Sequence, residues 1–356
     1  MTSFKDALSF DRAAKKTAAR VGWVDCVKGL TIIMVVAHHA VLGLAAKGLA
    51  HSDVLRWDES LAAVRMPLFF LVAGLFAKRA IDGPLQKFLD GKVVHFAYFY
   101  FLWSLILFFA RFGSNDVAEK KTRATEILAI LWDPISTIWF MYGLMLAFLF
   151  VRLLRSLPPL AIVATALAIQ TLALASPPVP GAMIINKFDH LLFYFVLGVY
   201  GSAWIRNQAN SIKPATAAGL ILSFIVVAVP ATMTDTLRLP IVYTVISLLG
   251  VSAVIAVAAA GQDALIARGL SYVGKYSLPI YLSHFLPVAA IRIVLMHVGV
   301  HQAVILCAAC VFGSVVLGIA ADVITRRTPL SFLFQRPRWA RLSAYQGSAA
   351  AKTGFA

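Results

Sequence analysis

VDCVKGLTIIMVVAHHAVLGL, residues 24–44, decides the fold. A hydrocarbon core of about 30 Å is crossed by about 20 predominantly apolar residues in a helix. This stretch has that length. It does not alternate apolar and polar residues, as a barrel strand would. A helix satisfies its own backbone groups in lipid, so the segment reads as a membrane-spanning helix. Within it stand Asp25, Lys28, His38 and His39, ionisable groups that cost at least about 2.5–3.5 kcal/mol each at a span's centre and therefore mark function by default.

Nine further apolar runs follow, near residues 60–77, 93–110, 135–151, 160–175, 190–205, 215–231, 240–260, 277–298 and 303–324. The expected fold is all-α, a polytopic integral-membrane bundle of about ten transmembrane helices. Composition agrees. Of the 356 residues 60% are hydrophobic and 13% charged, against about 25% charged in soluble domains. Mean hydropathy is +0.83. A soluble enzyme and a disordered chain are both excluded. The net charge of +16 is assigned to Lys and Arg at the cytoplasmic membrane face; membrane lipids, not nucleic acid, are the expected partners. Three cysteines cannot build a disulfide framework.

With the N-terminus placed inside, 21 Lys and Arg fall in inner segments and nine in outer ones, which favours both termini in the cytoplasm. The Arg111–Arg123 stretch opposes this, although Asp116, Glu119 and Glu126 offset part of its charge. The expected organisation is a basic cytoplasmic segment over residues 1–23, a ten-helix membrane domain over 24–324 and a basic cytoplasmic tail over 325–356. The first segment lacks the compact apolar region and cleavage site of a signal peptide. Phe4, Leu8 and Phe10 among basic residues fit an interfacial helix; a disordered tail fits equally.

Asp25 and Lys28 lie three apart on one helix face and can neutralise each other; interfacial anchoring explains the pair as well. His39 lies eleven residues, close to three turns and about 16 Å, beyond Lys28 on the same face. His38 is rotated from it by about 100°; His39, stacked over the Asp–Lys pair, reads as a functional group, a helix–helix hydrogen-bond partner being the other reading. In the second run Arg65 lies about 18 Å from Ala77, matching the depth of His39; a guanidinium that snorkels to headgroups is the other reading. His284 lies about 12 Å along from Tyr276, which suggests a shared cavity or a structural hydrogen bond. Lys87 and Lys92 precede the third span as a phosphate seat or as inner-face anchors. Asn186, Lys187, Asp189 and His190 form a polyol-binding mouth or a polar loop. Cys307 and Cys310 lack His or Asp companions and read as packing, with no metal.

The constellation resembles the acyltransferase-3 family of integral-membrane acyltransferases, many of which O-acylate bacterial surface glycans. The family's opening Asp-x-x-Arg-Gly motif with Arg-x10-His spacing is matched by Asp25-Cys26-Val27-Lys28-Gly29 and His39. Its Met-Pro-Leu-Phe-Phe, small residue and Gly are matched by Met66 to Phe70, Ala73 and Gly74. Lys92 matches the basic residue opening its third helix, Trp139-Phe140 its Trp-Phe, and Ile280-Tyr281-Leu282-Ser283-His284 its Ile-Tyr-x-x-His. Lys28 stands where Arg is usual, keeping the charge without the bidentate fork, and Ala73 stands where Ser is common. The family's optional C-terminal esterase-like domain has no counterpart here.

The resemblance implies an acyl-CoA donor from the cytosol, acetyl-CoA being the common family choice, no tightly bound cofactor, and a glycan or lipid-linked sugar hydroxyl as acceptor. It implies catalytic roles for His39, Lys28, Asp25 and Arg65, substrate-binding roles for Lys92, Trp139, Tyr281 and His284, and a bacterial inner membrane as location. The rival class is a proton-coupled transporter or flippase for a glycan precursor or organic anion, since such carriers also bury His, Arg and Asp. Against it stand the lack of an inverted repeat and the concentration of motifs in the first three spans.

Overall fold

The computed structural model describes residues 22–111, 130, 134, 136–180 and 183–342. The chain before residue 22, the Arg111–Arg123 stretch beyond residue 111 and the tail beyond residue 342 lie outside the described residues. Among the described residues every regular element is helical. The long helices are α1 (Gly22–Ala45) and α2 (Ser52–Leu75), then, after the short α3 (Lys78–Ile81) and α4 (Leu85–Phe88), α5 (His95–Arg111). A π-helical turn, Leu89–Val94, joins α4 to α5. Next come α6 (Trp139–Leu154), α7 (Pro159–Ala175), the short α8 (Met183–Phe188), α9 (Leu192–Ser211), α10 (Pro214–Met233), α11 (Pro240–Ala260) and α12 (Leu265–Lys275). The last are α13 (Ser277–Ser283), α14 (Phe285–His297) and α15 (Ala303–Thr325).

Each of the ten apolar runs falls on one of these helices or on a broken pair. Five helical segments, α1, residues 85–110, α10, α11 and α15, are long and apolar enough to cross a membrane; the α13–α14 pair makes six if it counts as one span. Helices α6 and α7 are apolar but shorter. Helix α2 carries Asp53, Arg56, Asp58, Glu59 and Arg65 within its 24 residues.

The ninth run is not one straight helix. It bends by 58° between α13 and α14, at His284. Pro287 explains the break, because it lacks the N–H that would bond the Ser283 carbonyl and its ring crowds that turn. Residues 329–342 fold back on the bundle: Arg336 pairs with Asp90 at 2.5 Å, the Leu342 N–H donates to the other Asp90 oxygen at 2.9 Å, and Trp103 Nε1 donates to the Leu333 carbonyl.

Helix α1 lies at the centre, packed by α2, α11, α12 and α15 and by both halves of the bent pair. Its contact with α12 is backbone on backbone: a Cβ on Gly29 would lie 1.9 Å from the Leu270 carbonyl oxygen, and one on Gly274 1.8 Å from that of Asp25. Helices α2 and α9 cross the same way at Gly74 and Gly198, where a Cβ would meet the Phe195 and Leu71 carbonyls at 2.3 and 2.2 Å. Without a hydrophobic drive between helices in lipid, such small-residue contacts supply the packing. Gly198→Val is therefore expected to destabilise by about 1–3 kcal/mol, as overpacking does. Thermal unfolding in detergent checks this; an unchanged midpoint would mean that the two backbones do not touch.

Candidate functional site

Several helices converge on one cavity of about 580 Å³, within the usual range for ligand sites of roughly 300–1,000 Å³. Helix α1 brings His38 and His39, α2 brings Asp58 and Arg65, α6 brings Trp139, and α13 brings Tyr281. Lys187 lines it from α8, and His190 and Asp235 from connections at the end of the bundle away from Lys28. Of the polar mouth read between residues 186 and 190, Lys187 and His190 face the cavity. Asn186 instead closes a loop by two bonds to the Val179 backbone, and Asp189 approaches His190 at 3.7 Å. Burial raises the Asp189 carboxyl above its ordinary value, with His190 opposing.

The imidazoles form a row. The His38 and His39 ring centroids are 4.8 Å apart, edge to face, and those of His39 and His284 are 5.1 Å apart. His284 is fully buried behind His39. Its Nδ1 donates to the Tyr281 carbonyl at 2.7 Å, which leaves Nε2 with the lone pair; that atom is buried with no hydrogen-bond partner among the described residues. The Tyr281 hydroxyl donates to the Thr137 carbonyl at 2.5 Å and so ties α13 to the entry of α6.

Arg65 is 2% exposed, too enclosed to snorkel. It donates to Asp58 Oδ1 at 3.2 Å, while Asp58 Oδ2 meets His38 Nδ1 at 2.5 Å. Asp58 escaped the sequence reading because it precedes the second apolar run and falls in an apparent outer loop. The helix begins eight residues before that run, at Ser52. Seven residues are close to two turns, so Asp58 and Arg65 share a face; that spacing was the one signal available, since nothing in the sequence ties His38 to position 58.

The remaining candidates lie elsewhere. Lys28 and Asp25 pair at 3.6 Å near the start of α1 and do not line the cavity. Lys92 sits on the π-helical turn, its ammonium 4.6 Å from the Phe148 ring centroid. With Arg79 and Lys87 it lines a second cavity, also about 580 Å³. π-Helical turns are uncommon and frequent at functional sites. The Cys310 thiol donates to the Val288 carbonyl at 3.5 Å.

The acyltransferase-3 family, described as an acyltransferase domain, matches residues 21–319, from the start of α1 into α15. The chain belongs to this acyltransferase family. No curated protein and no solved structure matches it. The protein is thus a membrane acyltransferase, and the match runs unbroken across both cavities. The acyltransferase's His38 and His39, buried guanidinium and aromatic wall share the first cavity, with His284 behind them; three cations and Asp82 stand at the second.

Proposed function

We propose that this acyltransferase moves an acyl group, acetyl by family habit, from acyl-CoA to a hydroxyl of a glycan or lipid-linked sugar, in a bacterial inner membrane with both termini cytoplasmic. The observation that carries the reading is the pairing of two cavities in one bundle, one with His39 and Arg65 together, the other lined by Arg79, Lys87 and Lys92. Cations suit the CoA phosphates. Lys28, held by Asp25, adds positive charge near the start of α1. The pantetheine arm would carry the thioester along the roughly 16 Å from Lys28 to His39. A sugar would stack on Trp139 and meet Tyr281 in the first cavity, with His284 backing the base.

The chemistry is then general-base acyl transfer. His39 accepts the proton of the acceptor hydroxyl as its oxygen attacks the thioester carbonyl. Arg65 stabilises the negative charge that develops on the carbonyl oxygen. The C–S bond breaks, the new C–O bond remains, and the imidazolium returns its proton to the CoA thiolate.

The test uses liposomes holding the full chain with acetyl-CoA or succinyl-CoA and glycan-bearing lipid extract. Release of free CoA thiol together with acylated lipid is expected. Movement of a solute across the bilayer with no thiol released would establish the carrier reading instead. Topology is checked with a membrane-impermeant maleimide, which is expected to label Ser114→Cys from outside intact cells and to miss Ser211→Cys. The reverse pattern would separate Lys28 from cytosolic CoA.

A further inference from the structure

We propose that Asp58 is a positioning residue for acyl transfer: its carboxylate holds the His38 ring with one oxygen and the Arg65 guanidinium with the other, fixing both against His39 over the first cavity. This deepens the acyl-transfer reading and rests on it. The contacts are direct, 2.5 Å from Oδ2 to His38 Nδ1 and 3.2 Å from Oδ1 to an Arg65 nitrogen. A carboxylate at that distance accepts the Nδ1 hydrogen, so in the neutral His38 ring the lone pair stands on Nε2. That ring lies edge-on to His39, 4.8 Å between centroids. The arrangement is a base neighbourhood oriented by a third group, the logic by which a buried carboxylate sets an imidazole tautomer in hydrolases.

The same carboxylate joins two helices. His38 is on α1 and Arg65 on α2, so one side chain fixes the relative position of the imidazole pair and the guanidinium. Arg65 can only donate. This makes the outcome of Asp58→Asn specific. The amide has one oxygen, which Arg65 takes; its NH2 then faces His38 Nδ1 and forces that nitrogen to accept. The His38 hydrogen moves to Nε2, and the ring presents the wrong tautomer to its neighbours.

The test has two arms on the full chain. In the first, membrane vesicles are supplied with radiolabelled acetyl-CoA or succinyl-CoA, and label in the lipid and glycan fraction is counted per folded molecule. Asp58→Asn is expected to lower turnover at least about tenfold, within the 10⁴-fold loss that a wrong tautomer has caused in a catalytic triad. KM for the donor should stay within about twofold, and Asp58→Glu should recover part of the loss. Adding His38→Ala to Asp58→Asn should cost less than about twofold more, because residues acting as one unit are not additive. Full losses that multiply, or wild-type turnover in Asp58→Asn, would overturn the proposal. In the second arm, 15N NMR of histidine-labelled protein reads the His38 ring without any acceptor: a protonated Nδ1 and bare Nε2 are expected in the wild type, reversed in Asp58→Asn. A wild-type ring protonated on Nε2 alone would overturn the proposal even if Asp58→Asn did not fold. Wild-type vesicles that label nothing would instead count against acyl transfer, and the NMR arm would still decide the pairing.

Discussion

Replacing His39 with alanine is expected to remove acyl transfer, by the 10²–10⁴-fold typical of a lost general base, while the protein reaches the membrane at normal levels. The ring lines the cavity and is only half-buried, so its loss opens little of the core. Neither the close contact of α1 with α12 nor that of α2 with α9 depends on it. His38→Ala is expected to cost less, because it removes a neighbour of the base and not the base itself. CoA release from acetyl-CoA in vesicles measures both. Equal rates in wild type and His39→Ala would end the mechanism, and a twofold drop would give it no support. His39→Gln sharpens the point: it retains a polar side chain of similar size but accepts no proton near neutral pH, so it should be as inactive as alanine.

How much of this was legible can be argued from α2. The apolar stretch after Ser60 announces a helix, and its Arg65 was placed by counting turns to the level of His39. Both residues line the first cavity. The eight residues before Ser60, however, contain Asp53, Arg56, Asp58 and Glu59, which hydropathy assigns to a loop. They are helical because one face of that turn is turned inward, where Asp58 and Ser60 are buried. Thr232 of α10 donates to the Ser60 hydroxyl there at 2.9 Å. A window that averages hydropathy cannot register a helix whose inward face is polar, which is why the partner of His38 went unread.

Two other features lie beyond local sequence for different reasons. Periodicity gave residues 277–298 as one span, whereas Pro287 lets α13 and α14 part by 58° and sets His284 at the corner, its ring turned to His39. The proline is visible in sequence; the angle depends on what the two halves pack against. Residues 329–342 have the composition of a basic tail, yet Arg336 is drawn in by Asp90, 246 positions earlier. Such a pairing is set by tertiary geometry alone. It also ties Arg336 and Leu342 to the π-helical turn that bears Lys92 and lines the cationic cavity.

Arg65→Met is expected to produce the other large effect, and its interpretation turns on where the guanidinium is. At 2% exposure, bonded to Asp58 and lining the cavity with His39, it cannot be a headgroup anchor. Removing a preorganised hydrogen-bond donor from a developing oxyanion costs about 10²–10³ in kcat, so methionine should cut turnover by that order while leaving acyl-CoA binding, which we assign to the other cavity, nearly unchanged. It also strips a buried carboxylate of one partner, which destabilises, so rates must be taken per folded molecule. Lysine keeps the charge but not the planar fork; with one contact to Asp58 to replace, it should retain an intermediate rate. The order wild type, Lys, Met in kcat, with a flat KM for acyl-CoA, is the signature of a charge acting at the reacting centre. If methionine raised KM and spared kcat, Arg65 would be holding donor rather than stabilising charge. If it did neither, the guanidinium would serve only to join α2 to α1 through Asp58.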